Sequence, residues 1–196
     1  MNLANKLTVI RIILVPVFVV FISCANIPYG TFIATLIFIL ASITDKLDGY
    51  IARSRNQVTN FGKFMDPLAD KLLVVSALIL LAQYNLVPAW VVIIITAREF
   101  AVSGLRTLAA SDGLVLAASW WGKIKTVFQI IAVISLLVKL NISTYAPLKN
   151  YVYSNSALNG FFTYGTTILV YAAALATLVS GIDYFVKNKH VINTNE

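Results

Sequence analysis

Apolar residues fill this sequence in long runs, and polar residues gather in short stretches between them. A helix that crosses a bilayer needs about 20 mostly apolar residues. Six runs approach that length, at 7–23, 29–44, 67–83, 88–110, 124–140 and 161–186. They are too long for membrane strands and lack a period-two alternation. The pattern predicts an all-α integral membrane protein with six transmembrane helices in a single domain, residues 1–196. The stretch 141–159, rich in Asn, Ser and Tyr, is expected to be a loop.

Lysine and arginine orient these spans, because basic loops stay on the cytoplasmic side. Lys6, the stretch 46–63, the stretch 106–125 and the pair Lys187 and Lys189 fall at alternate connections. The opposite connections hold little more than Lys149. Both termini and the charged connection after the second run are therefore expected in the cytoplasm, with the chain in the plasma membrane. Lys6 precedes the first run and Arg11 lies inside it, and no small-residue cleavage pattern follows, so it reads as a retained span. Trp90, Trp120 and Trp121 sit near predicted interfaces, where amphipathic rings anchor helices.

Composition agrees. The chain is 59% hydrophobic and 12% charged, about half the charge fraction of soluble domains. The net charge of +7 comes from basic residues between apolar runs. Anionic lipid headgroups account for them, and no nucleic-acid partner is expected. Cys24, the only cysteine, forms no intramolecular disulfide and is expected to be buried. His190 reads as a solvated surface residue.

Chemistry concentrates in one place. Of the eight acidic residues, four crowd together: Asp45, Asp48, Asp66 and Asp70. At 100° per residue, Asp45, Asp48, Gly49 and Ala52 share one arc of a helix, with Arg53 beside it. Gly62, Asp66 and Asp70, each four apart, share a narrow arc on the next helix. Two helices joined by a short polar connection can aim all four carboxylates at one point. Each would cost about 2.5–3.5 kcal/mol inside a bilayer, and together they repel, so cations belong among them. Oxygen donors with no nearby His or Cys suit Mg²⁺ or Mn²⁺, and four carboxylates suit two such ions. Gly49 and Gly62 let a ligand approach the helix closely, and Arg53 offers a planar fork to a phosphate. Taken singly, Gly49 with Ala52 also fits a small-residue helix contact, and Asp66 before Pro67 fits a helix cap.

The full spacing from Asp45 to Asp70, D-x2-D-G-x2-A-R-x8-G-x3-D-x3-D, is similar to the signature of the CDP-alcohol phosphotransferases, with every fixed position filled. The resemblance extends over nearly the whole chain. It implies that Asp45, Asp48, Asp66 and Asp70 hold two divalent cations and that Asp70 is also the general base. It further implies that Gly49, Arg53, Thr59 and Gly62, together with Asn5 and Thr8 of the opening stretch, contact a CDP-activated lipid, and that the protein is a homodimer.

The acceptor alcohol is read from a second polar group: Arg98, Glu99 and Arg106 in the fourth run, then Lys123 and Lys125 entering the fifth. Basic residues near a phosphate-directed site suggest an acceptor that bears its own phosphate. The strings T-A-R-E-F, S-G-L-R and G-K-I-K-T resemble those of the family's branch that joins CDP-diacylglycerol to glycerol 3-phosphate. Arg98, Arg106, Lys123 and Lys125 are the expected phosphate contacts. Arg98 with Glu99 also fits a neutralising pair, and Lys123 with Lys125 fits charge that only sets topology. Inositol phosphate, phosphatidylglycerol and serine are alternative acceptors. Intramembrane carboxylates also mark cation-coupled transporters. Those hold their charges near the midplane within inverted repeats, whereas here the acids cluster at one end and no repeat is visible.

Overall fold

The computed structural model describes residues 3–54, 60–111, 113–114, 116–117, 119–189 and 191, with side chains for these apart from 3–4, 45–54, 60–64, 66–67 and 111. Among the described residues there is no strand. The long helices are α1 (Leu3–Ser23), α2 (Gly30–Ser54), α3 (Asn60–Gln83), α4 (Ala89–Ser111) and α5 (Trp120–Thr144). Two short helices follow, α6 (Ala146–Ser154) and α7 (Ser156–Gly160). A π-helical turn, Phe161–Gly165, then leads into α8 (Thr166–Lys187).

Each predicted run overlaps a long helix, the last one starting in the π-helical turn, and the sequence explains where several of them end. The α1–α2 turn brings Gly30 so near the end of α1 that a Cβ there would sit 2.5 Å from the Phe21 carbonyl oxygen. Asn85, in the α3–α4 turn, adopts φ 57°, a left-handed conformation that asparagine tolerates better than most residues. Ser119 caps α5 by accepting from the Gly122 N–H at 3.1 Å.

Two expectations are corrected. Residues 141–159 are mostly helical rather than a loop. Pro147 lies in the first turn of α6, where its missing N–H is not needed. Asn155 caps α7 by accepting from the Ala157 and Leu158 N–H groups at 3.1 and 3.2 Å. Cys24 is exposed, not buried, because it follows the last residue of α1, where the chain turns away from the packed bundle.

α1 packs on α2 and α3, α5 on α2 and α8, and α4 on α3 and α8. The main core runs through Phe18, Phe38, Leu81, Val91, Ile95 and Leu137. A smaller cluster of Val102, Leu105, Ala109, Tyr184 and Val191 joins the end of α4 to the end of α8. The outer surface is apolar as well: Ile93, Ile168, Leu175 and Ile182 are each about two-thirds exposed. Water would penalise so large an apolar exterior; lipid does not. Asn5–Ser23, Trp120–Thr144 and Ser156–Lys187 are long and apolar enough to cross a membrane, and Gly30–Thr44 is a shorter apolar helix. The chain is a membrane protein.

Candidate active site

The carboxylate signature straddles the junction of α2 and α3. Asp45, Asp48, Gly49 and Arg53 belong to the last turns of α2, and Gly62 and Asp66 to the first turns of α3. The side chains of these six, and the whole of Thr59, lie outside the described residues. Asp70 is described. It is partly buried and lines a cleft with Lys71, Val74 and Val75 of α3, Glu99 of α4, and Lys125, Thr126, Gln129 and Ile130 of α5. The α3 positions 70, 71, 74 and 75 recur at helical spacing, so one face of α3 forms one wall.

Glu99 is the anionic centre of the opposite wall. It pairs with Lys125, and Arg98 Nη1 lies 3.6 Å from its Oε1; all three side chains are nearly buried. Charges removed from water need close partners, and one carboxylate between two cations supplies them. Lys125 also donates to Gln129 Oε1 at 3.4 Å, and Gln129 Nε2 donates to Thr177 Oγ1 at 3.3 Å. A polar chain thus runs from the cleft across α5 to α8. Lys71, on the α3 wall, hydrogen-bonds the Ser103 hydroxyl of α4.

Arg98 and Arg106 turn towards α8. Arg98 Nη2 donates to Ser180 Oγ at 2.7 Å, and Arg106 Nε donates to the Tyr184 hydroxyl at 3.0 Å. Gly181 makes room for the first contact, since a Cβ there would lie 3.1 Å from Arg98 Cγ. Of the four expected acceptor contacts, the cleft itself gathers Lys125, with Arg98 next to it through Glu99. Lys123 is exposed and lies 5.6 Å from the centre of the Trp120 ring. Asn5 and Thr8 are buried on α1, as is Arg11. Their three-residue spacing puts them on one face, and α1 packs against both signature helices.

Sequence reasoning missed Lys71, Ser103, Gln129, Thr177, Ser180 and Tyr184. A polar residue inside an apolar run was the available signal for each, because such residues seek partners in a bilayer.

The donor set suits a hard divalent cation. Asp70 lines a cleft on α3, four residues after Asp66, and the cleft is lined by no thiol or imidazole among the described residues. Among the described residues alone, no three candidate ligands gather.

Comparison with known proteins bears on the family. The CDP-alcohol phosphatidyltransferase family model matches residues 1–180. A Bacillus subtilis protein named CDP-diacylglycerol–glycerol-3-phosphate 3-phosphatidyltransferase is 44% identical over 205 residues, covering 99% of this chain and 98% of that protein. Proteins of the same name from Haemophilus influenzae and Rickettsia bellii are each 39% identical. The first covers 93% of this chain and 91% of itself, the second 94% and 93%. The chain belongs to the CDP-alcohol phosphatidyltransferase family.

Proposed function

We propose that this enzyme transfers the phosphatidyl group of CDP-diacylglycerol to glycerol 3-phosphate, releasing CMP and phosphatidylglycerophosphate for phospholipid synthesis. The observation that carries the reading is the single cleft shared by Asp70, the last carboxylate of the signature, and the cation Lys125. A phosphate-directed site thereby adjoins a group that can bind a second phosphate. Relatives named for this reaction, aligned over nearly their whole length, support the choice of acceptor. With an enzyme family assigned, the transporter alternative lapses.

Asp45, Asp48, Asp66 and Asp70 would hold two divalent cations, Mg²⁺ or Mn²⁺. When bound, these supply Lewis-acid neutralisation of the pyrophosphate and so favour departure of CMP. Arg53, with Gly49, Thr59 and Gly62, contacts the CDP group, and Asn5 and Thr8 close that side from α1. Asp70 takes the proton of the acceptor hydroxyl as it attacks the lipid-linked phosphorus. Lys125 and Arg98, fixed by Glu99, orient the acceptor phosphate, with Arg106 and Lys123 further along the basic approach. Transfers of this kind depend chiefly on positioning and charge stabilisation, and these residues provide both. Six spans form one domain in the plasma membrane as a homodimer, with both termini and the site facing the cytoplasm.

The test uses purified protein in detergent with CDP-diacylglycerol, Mg²⁺ and labelled glycerol 3-phosphate. CMP release should require the acceptor and should stop on chelation with EDTA, returning with added Mg²⁺ or Mn²⁺. Release driven equally well by serine or inositol would overturn the acceptor, and full activity in EDTA would overturn the metal site.

A further inference from the structure

Lys71 has no place in the signature or among the expected phosphate contacts, yet it stands on the cleft wall next to Asp70. Its surroundings differ from those of Lys125 and Arg98. Lys125 is paired with Glu99, and Arg98 leans on the same carboxylate. Among the described residues, Lys71 hydrogen-bonds a neutral hydroxyl, Ser103 Oγ. That contact fixes the ammonium group without cancelling its charge. It also ties α3 to α4, the helix that carries Glu99 and Arg98.

Charge in and beside the cleft follows from these contacts. Lys71, Arg98 and Lys125 bring three positive charges, and Glu99 returns one negative charge. Asp70 is committed to the cations and the proton transfer. The surplus suits a phosphate monoester, whose charge near neutral pH is about −1.5 to −2. Lys125 and Arg98, less the charge of Glu99, would leave about a third to a half of that charge uncompensated.

The geometry points to Lys71 as a specificity-determining residue that binds the phosphate of the acceptor, opposite Lys125, and holds the acceptor's free hydroxyl beside Asp70. This rests on the glycerol 3-phosphate reading above. A neutral alcohol gains nothing from Lys71; a phosphorylated one gains a charge-assisted hydrogen bond at the wall where its hydroxyl must react.

The experiment compares KM for the two substrates in wild type, Lys71→Gln and Lys71→Arg. Gln keeps a donor towards Ser103 and removes the charge; Arg keeps the charge. In K71Q, KM for glycerol 3-phosphate should rise about 10- to 100-fold, the loss expected for one charged hydrogen bond. KM for CDP-diacylglycerol should stay within about twofold by the same argument, and K71R should recover most of the loss. Ser103→Ala, which frees the ammonium group but changes no charge, is an independent arm. It should raise KM for glycerol 3-phosphate by about threefold, as for one neutral hydrogen bond, and leave the lipid KM alone. If the variants that fold show equal changes in both KM values, or a fall in kcat alone, Lys71 is structural and the assignment is overturned. A wild-type enzyme that releases no CMP with glycerol 3-phosphate sinks the transfer reading instead.

Discussion

Asp70 is the signature carboxylate whose surroundings are described most fully, and they bear on what it can do. It lies partly buried on a wall with Lys71, across a cleft that holds Lys125 and Glu99. Lys125, the cation across the cleft, is engaged by Glu99 rather than by Asp70. Asp70→Asn keeps the side-chain shape and removes the ability to hold a cation or take a proton. Turnover should fall by at least about 10²-fold, the lower range for loss of a general base, while thermal unfolding in detergent stays near wild type. Substantial retained activity would take Asp70 out of the chemistry. At this scale the sequence was informative where residues sit close along the chain. Spacing alone predicts that the four aspartates share two helical arcs, and of their side chains only that of Asp70 is among those described. Lys71 and Ser103 are 32 positions apart, and Gln129 and Thr177 are 48 apart. Their pairing depends on which helices pack together, and no local pattern carries that.

Helices were more legible than the residues between them, for reasons of hydrophobic accounting. A run such as 124–140 can satisfy its backbone in lipid only as a helix, so its assignment needed no tertiary information. The polar stretch 141–159 obeys no such constraint, and its Asn and Ser content favours turns and caps equally. Here they act as caps, with Asn155 starting a helix rather than interrupting one. Close packing between helices is a second feature that composition hides. Gly30 and Gly104 are both helical glycines, but their surroundings are opposite. A Cβ at Gly30 would meet the backbone oxygen of Phe21 at 2.5 Å, whereas nothing lies within 4 Å of a Cβ at Gly104. Gly30→Ala must push α2 away from α1, and overpacking of this kind costs about 1–3 kcal/mol. Gly104→Ala should be neutral or stabilising by up to about 1 kcal/mol, through helix propensity. Thermal unfolding of the two variants in the same detergent checks the contrast; equal midpoints would mean that the α1–α2 turn is not held closely.

For the whole molecule, sidedness decides whether the site can meet its substrates. α1 and α2 pack side by side and are joined by a turn of few residues, so the start of α1 and the end of α2 lie at one end of the pair and Cys24 at the other. α2 has 25 residues, which at 1.5 Å per residue gives about 37 Å, against a hydrocarbon core of about 30 Å. Asp45 and Asp48 lie about 22 and 27 Å along α2 from Gly30, so most of that thickness separates them from Cys24. The proposed topology puts the aspartate end in the cytoplasm, the side that loops rich in lysine and arginine favour, where charged, membrane-impermeant glycerol 3-phosphate would be available. Cys24 should then face outwards. As the only cysteine in the chain and an exposed one, it is a native reporter of this orientation. In intact cells a membrane-impermeant maleimide should label the wild-type protein without permeabilisation and leave Cys24→Ser unlabelled. Labelling that requires permeabilised cells would put the α1–α2 turn inside and the aspartates outside. The acceptor would then have to arrive from the opposite compartment, and the proposed reaction would lose its substrate supply even with every residue of the cleft intact.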